Sequence, residues 1–138
     1  MAKKQQLILV DTSVWASFFN NADLPAVRYL DRVLESEEGD LAVMPIILTE
    51  VLQGFRSDSG FRSAKSMLRR LPMLMLDIDS HVKAASMFRR LRKSGVTIRG
   101  AVDCLIAQAC IEHGAMLLTL DGDFARIADH SPLKLVSY

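Results

Sequence analysis

Leu7-Ile8-Leu9-Val10 is an unbroken aliphatic run that stops at Asp11-Thr12-Ser13. Four aliphatic residues without polar alternation are what a strand buried on both faces of a parallel sheet requires. Asp-Thr-Ser after it is a helix-start signature. Working outward, short apolar runs alternate with longer segments of helical periodicity, the pattern of an α/β domain. The predicted strands are Leu7–Val10, Asp40–Met44, Met73–Leu76, Met116–Leu120 and Leu133–Val136. The first predicted helix, Val14–Phe19, is broken by Asn20-Asn21, and the second, Leu24–Glu37, has Pro25 in its first turn, where a missing N–H costs nothing. Pro45 opens a third, with Leu48, Val51, Leu52 and Phe55 spaced as a core face and Ile47, Glu50 and Gly54 on another. A Ser57–Gly60 loop leads to a basic helix, Phe61–Arg70; then come Ile78–Lys93, closed by Gly95, and Ala101–His113, closed by Gly114. The last is apolar almost all round and is expected at the centre of the fold. No repeat, low-complexity stretch or linker interrupts residues 1–138, so one domain is expected, with its core at about 7–136.

The 138 residues are half hydrophobic, with a mean hydropathy of +0.19. A chain of this size buries a core without metal or disulfide staples, and 24% charged residues at a net +1 do not describe a disordered chain. The longest run free of polar residues, Leu41–Leu48, is far short of the ~20 a membrane span needs. Lys3 and Lys4 precede only Leu7–Val10 before Asp11, too little apolar sequence for a signal peptide. Cys104 and Cys110 lie about 120° apart around one helix and cannot bridge each other. The expected compartment is the cytoplasm.

In open α/β sheets, sites form beyond the carboxyl ends of the strands. Asp11 ends the first predicted strand, and the fourth runs into Thr119-Leu120-Asp121-Gly122-Asp123-Phe124. Glu50 interrupts a strongly apolar helix, and Asp103 stands in the first turn of the most hydrophobic one. Burying a carboxylate costs several kcal/mol unless it is paired or bound to metal. Each acid also has a local explanation. Asp11 can cap a helix, Asp103 can meet a helix dipole, Glu50 can face solvent, and Asp121-Gly122-Asp123 can be a polar turn. These are unrelated reasons, whereas one Mg²⁺ or Mn²⁺ site accounts for all five acids together. Hard divalent ions take oxygen ligands, and His81, His113 and His130 share no ligand spacing. Carboxylates without a nucleophilic Ser or Cys and its base point to metal-assisted phosphoryl chemistry. Two ions ~3.5–4 Å apart can there hold a phosphodiester, activate water and stabilise the leaving oxygen.

Three stretches, LILVDTSVWASFF (Leu7–Phe19), ILTEVLQGFR (Ile47–Arg56) and GVTIRGAVDCLIAQACIEHGAMLLTLDGDFARIA (Gly95–Ala128), resemble as an ordered set the PIN-domain family. Within it they resemble the small VapC-like toxin ribonucleases of bacterial toxin–antitoxin systems. The resemblance runs from Leu7 to about Val136. It implies a central parallel sheet of strand order 3-2-1-4-5 flanked by helices, and a Mg²⁺- or Mn²⁺-dependent endoribonuclease. Asp11, Glu50, Asp103 and Asp121 are the matching acids, and Asp123 matches a further acid that many relatives use. The metal would be held by Asp11, Asp103, Asp121 and Asp123, with Ser13 and Thr119 supporting through hydrogen bonds. The resemblance also implies a homodimer and a VapB-like antitoxin whose C-terminal segment covers the acidic groove. Asp121 stands where many relatives have Asn, which leaves the division of labour between Asp121 and Asp123 open.

The net charge of +1 hides a cancellation. Arg56–Arg99 carries eleven Lys and Arg against Asp58, Asp77 and Asp79, a net of +8, and the remainder carries −7. RNA binding requires cations near the phosphates. Arg89, Arg90, Arg92 and Lys93 also suit a helix C-terminus. Arg99 directly precedes the helix of Asp103, so Arg99, with Arg92 and Lys93, is expected to steer an RNA backbone. Val27, Leu30, Leu34 and Phe55 serve either antitoxin docking or packing within the chain. Trp15 with Phe18 or Phe19 either joins the core or lines the groove. A receiver-like signalling domain would need an acid pair after the first strand and a lysine soon after the last strand-end motif. Here Asp-Thr-Ser follows the first strand, and no lysine follows Asp123 until Lys134. The presence of every matching acid argues against a PIN-type domain that only binds. DNA cleavage is permitted by the chemistry, which does not itself read the 2′-OH.

Overall fold

The computed structural model describes residues 6–36 and 39–138. Lys3, Lys4 and the Glu37 end of the second predicted helix lie outside them. In chain order the elements are β1 (Gln6–Val10), α1 (Thr12–Phe19), α2 (Pro25–Ser36), β2 (Gly39–Ala42), α3 (Pro45–Leu52), α4 (Asp58–Leu68), α5 (Ile78–Lys93), α6 (Ala101–His113), β3 (Met116–Leu118), α7 (Asp123–Ala128) and β4 (Lys134–Leu135). The strands form one parallel sheet in the order β2-β1-β3-β4. β1 is central, with Leu9 level with Ala42 on one side and Leu117 on the other. Its Ile8, Leu9 and Val10 are buried, as an uninterrupted aliphatic strand between two helical layers must be.

The predicted third strand, Met73–Leu76, is the main correction to the five-stranded order 3-2-1-4-5. Only a single parallel bridge forms there, between Val43 and Met73. The Val43 N–H donates to the Pro72 carbonyl at 2.9 Å, and the Leu74 N–H donates to the Val43 carbonyl at 2.8 Å. Pro72 has no N–H to extend the ladder. The segment therefore sits where the predicted edge strand belongs without becoming one.

The helices differ from the expectation mostly at their ends. α4 begins at Asp58 rather than Phe61, because Ser57 is its N-cap and the Ser57 hydroxyl accepts the Gly60 N–H at 3.1 Å. The expected Ser57–Gly60 loop is thus the cap and first turn of a helix. α3 ends at Leu52 and buries Ile47 and Val51, an i, i+4 pair, while Leu48, Leu52 and Phe55 are only partly buried against the core. α7 was not foreseen; its short apolar stripe is Phe124 and Ile127, both buried. Trp15 is fully buried, stacked on Phe19 with ring centroids 5.9 Å apart and edge-on to Phe18 at 5.7 Å. It belongs to the core and not to the groove. Leu30 joins the same core, and Val27 is buried on the same helix at the edge of a cavity with Phe18 and Phe19, so the apolar character of both serves packing within the chain. Among the described residues, no helix is long and apolar enough to cross a membrane.

Candidate active site

Asp11 leaves β1 at its carboxyl end, where its N–H still donates to the Leu118 carbonyl at 2.9 Å. It occupies the N-cap position of α1, but its side chain makes no capping hydrogen bond. The capping explanation therefore accounts for the backbone and not for the carboxylate. Asp11 Oδ2 accepts instead from Ser13 Oγ at 2.8 Å and from Thr119 Oγ1 at 2.9 Å. Those hydroxyls are themselves held, because Ser13 Oγ accepts the Leu120 N–H at 3.0 Å and Thr119 Oγ1 accepts the Asp121 N–H at 3.0 Å. Two hydroxyls thus lock a carboxylate that is only 6% exposed to the turn carrying the next acid. Tyr138 adds a further tie, its hydroxyl donating to the Thr119 carbonyl at 3.1 Å.

Asp103, Asp121 and Asp123 each offer a carboxylate oxygen, all within 4.8 Å of one another. The polar-turn explanation holds for half of Asp121. Its Oδ1 accepts the Asp123 N–H at 2.9 Å, and its Oδ2 accepts from Arg99 Nη2 at 3.3 Å. Asp123 Oδ1 lies 3.6 Å from Arg126 Nη1. Asp103 is in the first turn of α6, where a helix dipole alone would favour the ionised form. The opposite happens: burial pushes its carboxyl up to about 6, the charges of Asp121, Asp11 and Asp123 add to the rise, and Arg99 opposes it. Glu50 accepts from Thr12 Oγ1 at 3.0 Å. Asp11, Glu50, Asp103, Asp121 and Arg99 all line one cavity of about 370 Å³, floored by Ile106.

Two of the expected cations are not in that lining. Arg92 lies with its guanidinium 5.6 Å from the Phe88 ring centroid, and Lys93 is exposed beside it in the last turn of α5. Thr12 and Arg126, which contact the candidate acids Glu50 and Asp123, are not among the residues expected from the sequence. Thr12 had a signal in its place within Asp-Thr-Ser. Arg126 had none, because its i, i+3 spacing from Asp123 means something only once α7 is known to be a helix.

The donor set is all oxygen. His81, His113 and His130 are within hydrogen-bonding distance of the carbonyls of Asp77, Met75 and Arg126, at 2.7, 3.0 and 3.0 Å. Both thiols are free and buried, and burial pushes Cys104 up to about 11 and Cys110 up to about 12, so neither is a ready thiolate. Three clustered carboxylates, one of them pushed up to about 6 by burial and by its acidic neighbours, fit a hard divalent cation such as Mg²⁺ or Mn²⁺.

The chain is similar to known proteins along nearly its whole length. A VapC ribonuclease of Mycobacterium bovis is 34% identical over 134 residues, covering 96% of this chain and 99% of that protein. Ribonuclease VapC11 of Mycobacterium tuberculosis matches to the same extent, at 34% over 134 residues. Among solved structures, VapBC2 from Rickettsia felis, bound to a DNA fragment from its promoter, superposes with a TM-score of 0.74. It does so at 22% identity, over 95% of this chain and 98% of that one. VapBC-1 from nontypeable Haemophilus influenzae gives a TM-score of 0.72 at 19% identity, over 96% and 98% of the two chains. The PIN domain matches residues 8–130, and with these relatives it shows that the chain belongs to the PIN-domain family, among its VapC members.

Proposed function

We propose that this chain is a Mg²⁺- or Mn²⁺-dependent endoribonuclease, the toxin of a toxin–antitoxin pair, acting in the cytoplasm. The observation that carries the reading is the meeting of Asp103, Asp121 and Asp123 within 4.8 Å beside Asp11 and Glu50. Asp11, Asp103, Asp121 and Asp123 would hold the ion. When bound, it supplies Lewis-acid polarisation of a phosphodiester and activation of water for in-line displacement. Ser13 and Thr119 orient the Asp11 carboxylate, and Thr12 orients Glu50. Arg99, at the cavity rim, offers a guanidinium that can turn from Asp121 to an RNA phosphate. Arg92 and Lys93, exposed in the last turn of α5, would add positive charge for an RNA backbone outside the cavity.

Two partners complete the reading. Met75, Ile78 and Val82 are exposed, Ile78 at 78%, beside a cavity of about 260 Å³ lined by Met44, Pro45, Ile46 and Leu105. This apolar face supports a second copy of the chain in a homodimer. The VapBC assemblies among the structural neighbours support a VapB-like antitoxin as the other partner.

Incubation of the purified chain with structured RNA and with DNA tests the activity. Cleavage of RNA is expected in Mg²⁺ or Mn²⁺ and not in EDTA. The ion is worth several kcal/mol of transition-state stabilisation, at tenfold per ~1.4 kcal/mol. Asp103→Asn should therefore lower the rate by roughly 100-fold or more. Cleavage that survives EDTA, or an Asp103→Asn variant as active as wild type, overturns the proposal.

A further inference from the structure

Two arginines meet the acid cluster, and they meet it differently. The Arg99 side chain is 85% exposed and touches Asp121 from the solvent side. Arg126 is anchored: its Nη1 donates to the Thr97 carbonyl at 2.7 Å while lying 3.6 Å from Asp123 Oδ1. Thr97 belongs to the connection between α5 and α6, and Asp123 opens α7. Among the described residues, no backbone hydrogen bond joins residues 96–100 to residues 121–130. The polar ties between these segments are the two arginines. The connection runs from Thr97 through Arg99 and Gly100, the N-cap of α6, directly into the turn that presents Asp103.

We infer that Arg126 is a positioning residue for the three-carboxylate cluster. One guanidinium nitrogen grips a backbone carbonyl just ahead of α6 and the carboxylate of Asp123 on α7. It thereby sets the separation of Asp123 from Asp103. The inference rests on the proposed divalent-metal site and names a residue on which that site's geometry depends.

A positioning role and a purely electrostatic one predict opposite signs. A cation beside a metal site repels a divalent ion, so a residue acting only through its charge loosens binding, and its removal tightens it. A residue that holds two ligands in register does the reverse. The test is Mn²⁺ binding to the full chain, by calorimetry or by electron paramagnetic resonance of free Mn²⁺, with circular dichroism of each variant as the check on folding. Arg126→Met keeps an unbranched stem and loses the charge and both contacts. It is expected to bind Mn²⁺ roughly tenfold more weakly, the lower end of the usual loss when a group supporting a metal ligand is removed. Arg126→Lys keeps the charge at a shorter reach without the planar fork, and is expected to bind more weakly than wild type but more tightly than Met. Binding by Arg126→Met as tight as wild type or tighter overturns the inference. So does binding by Arg126→Lys equal to wild type, which decides the matter even where the Met variant does not fold. A wild type that binds no Mn²⁺ at all fails at the earlier step and removes the metal reading together with this one.

Discussion

Asp103 shows most clearly how a single residue reveals its task. An aspartate in a first helical turn is ordinary, and its neighbours make this one unusual. An ordinary aspartate titrates near ~3.9, whereas burial, reinforced by Asp121, Asp11 and Asp123, pushes this carboxyl up to about 6. An acid whose pKa is raised by folding holds its proton more tightly in the native state. Its contribution to stability is therefore complete below the unfolded value and is lost as pH rises through the folded one. In EDTA, wild type is expected to lose stability between about pH 4 and pH 6 relative to Asp103→Asn, which should melt higher than wild type at pH 7. Melting curves across that range check it, and an Asp103→Asn variant that melts lower at pH 7 contradicts it. Glu50 and Asp103 stand out in the sequence as candidates because apolar segments rarely spare room for a carboxylate, and Asp11, Asp121 and Asp123 because they follow predicted strand ends. Arg126 does not, since a lone arginine on a short helix looks the same whether it faces water or grips a carbonyl. Arg92 and Lys93 show the converse: charge count placed them in a basic segment, and only the turn of α5 could say that they lie outside the cavity lining.

At the scale of elements, what could be read depended on whether the determinant was local. β1, α5 and α6 follow from aliphatic runs, periodicity and closing glycines, and their structural bounds lie close to the predicted ones. Gly114 illustrates the local kind. It closes α6 at φ +65°, a left-handed conformation that L side chains adopt only at a cost, and a Cβ there would meet nothing within 4 Å. The cost of Gly114→Ala is therefore conformational alone, about 1–2 kcal/mol. Gly100 also has open space around it, but its φ of −177° is extended backbone that any residue adopts, so Gly100→Ala should leave stability nearly unchanged. Urea unfolding of the two variants separates these outcomes; equal midpoints would show that the left-handed turn is not the cause. The edge segment at Met73 and helix α7 depended on non-local matters, a proline's missing donor beside β2 and a fold into which Phe124 and Ile127 could pack. Neither can be read from periodicity over a few residues.

At the scale of the molecule, the parallel sheet takes β1 from the start of the chain and sets it between β2 and β3. The near-neutral net charge is the sum of a basic middle and an acidic remainder that includes the five candidate site acids. The hydrogen bond from Thr119 to Asp11 spans 108 residues of sequence. That span sets a schedule for synthesis on the ribosome. At ~5–20 residues per second, Asp11 waits roughly 5–20 s for the strand that completes its surroundings. On the proposed ribonuclease function, the nascent chain would until then carry no assembled site, however close it lies to ribosomal and messenger RNA. A chain stalled with β3 still inside the exit tunnel is expected to cleave nothing, and one stalled behind a linker long enough to free residue 138 is expected to be active. Equal cleavage by the two would contradict this. On that function, the topology would thus protect the translating ribosome from its own product until β3 has emerged and reached β1.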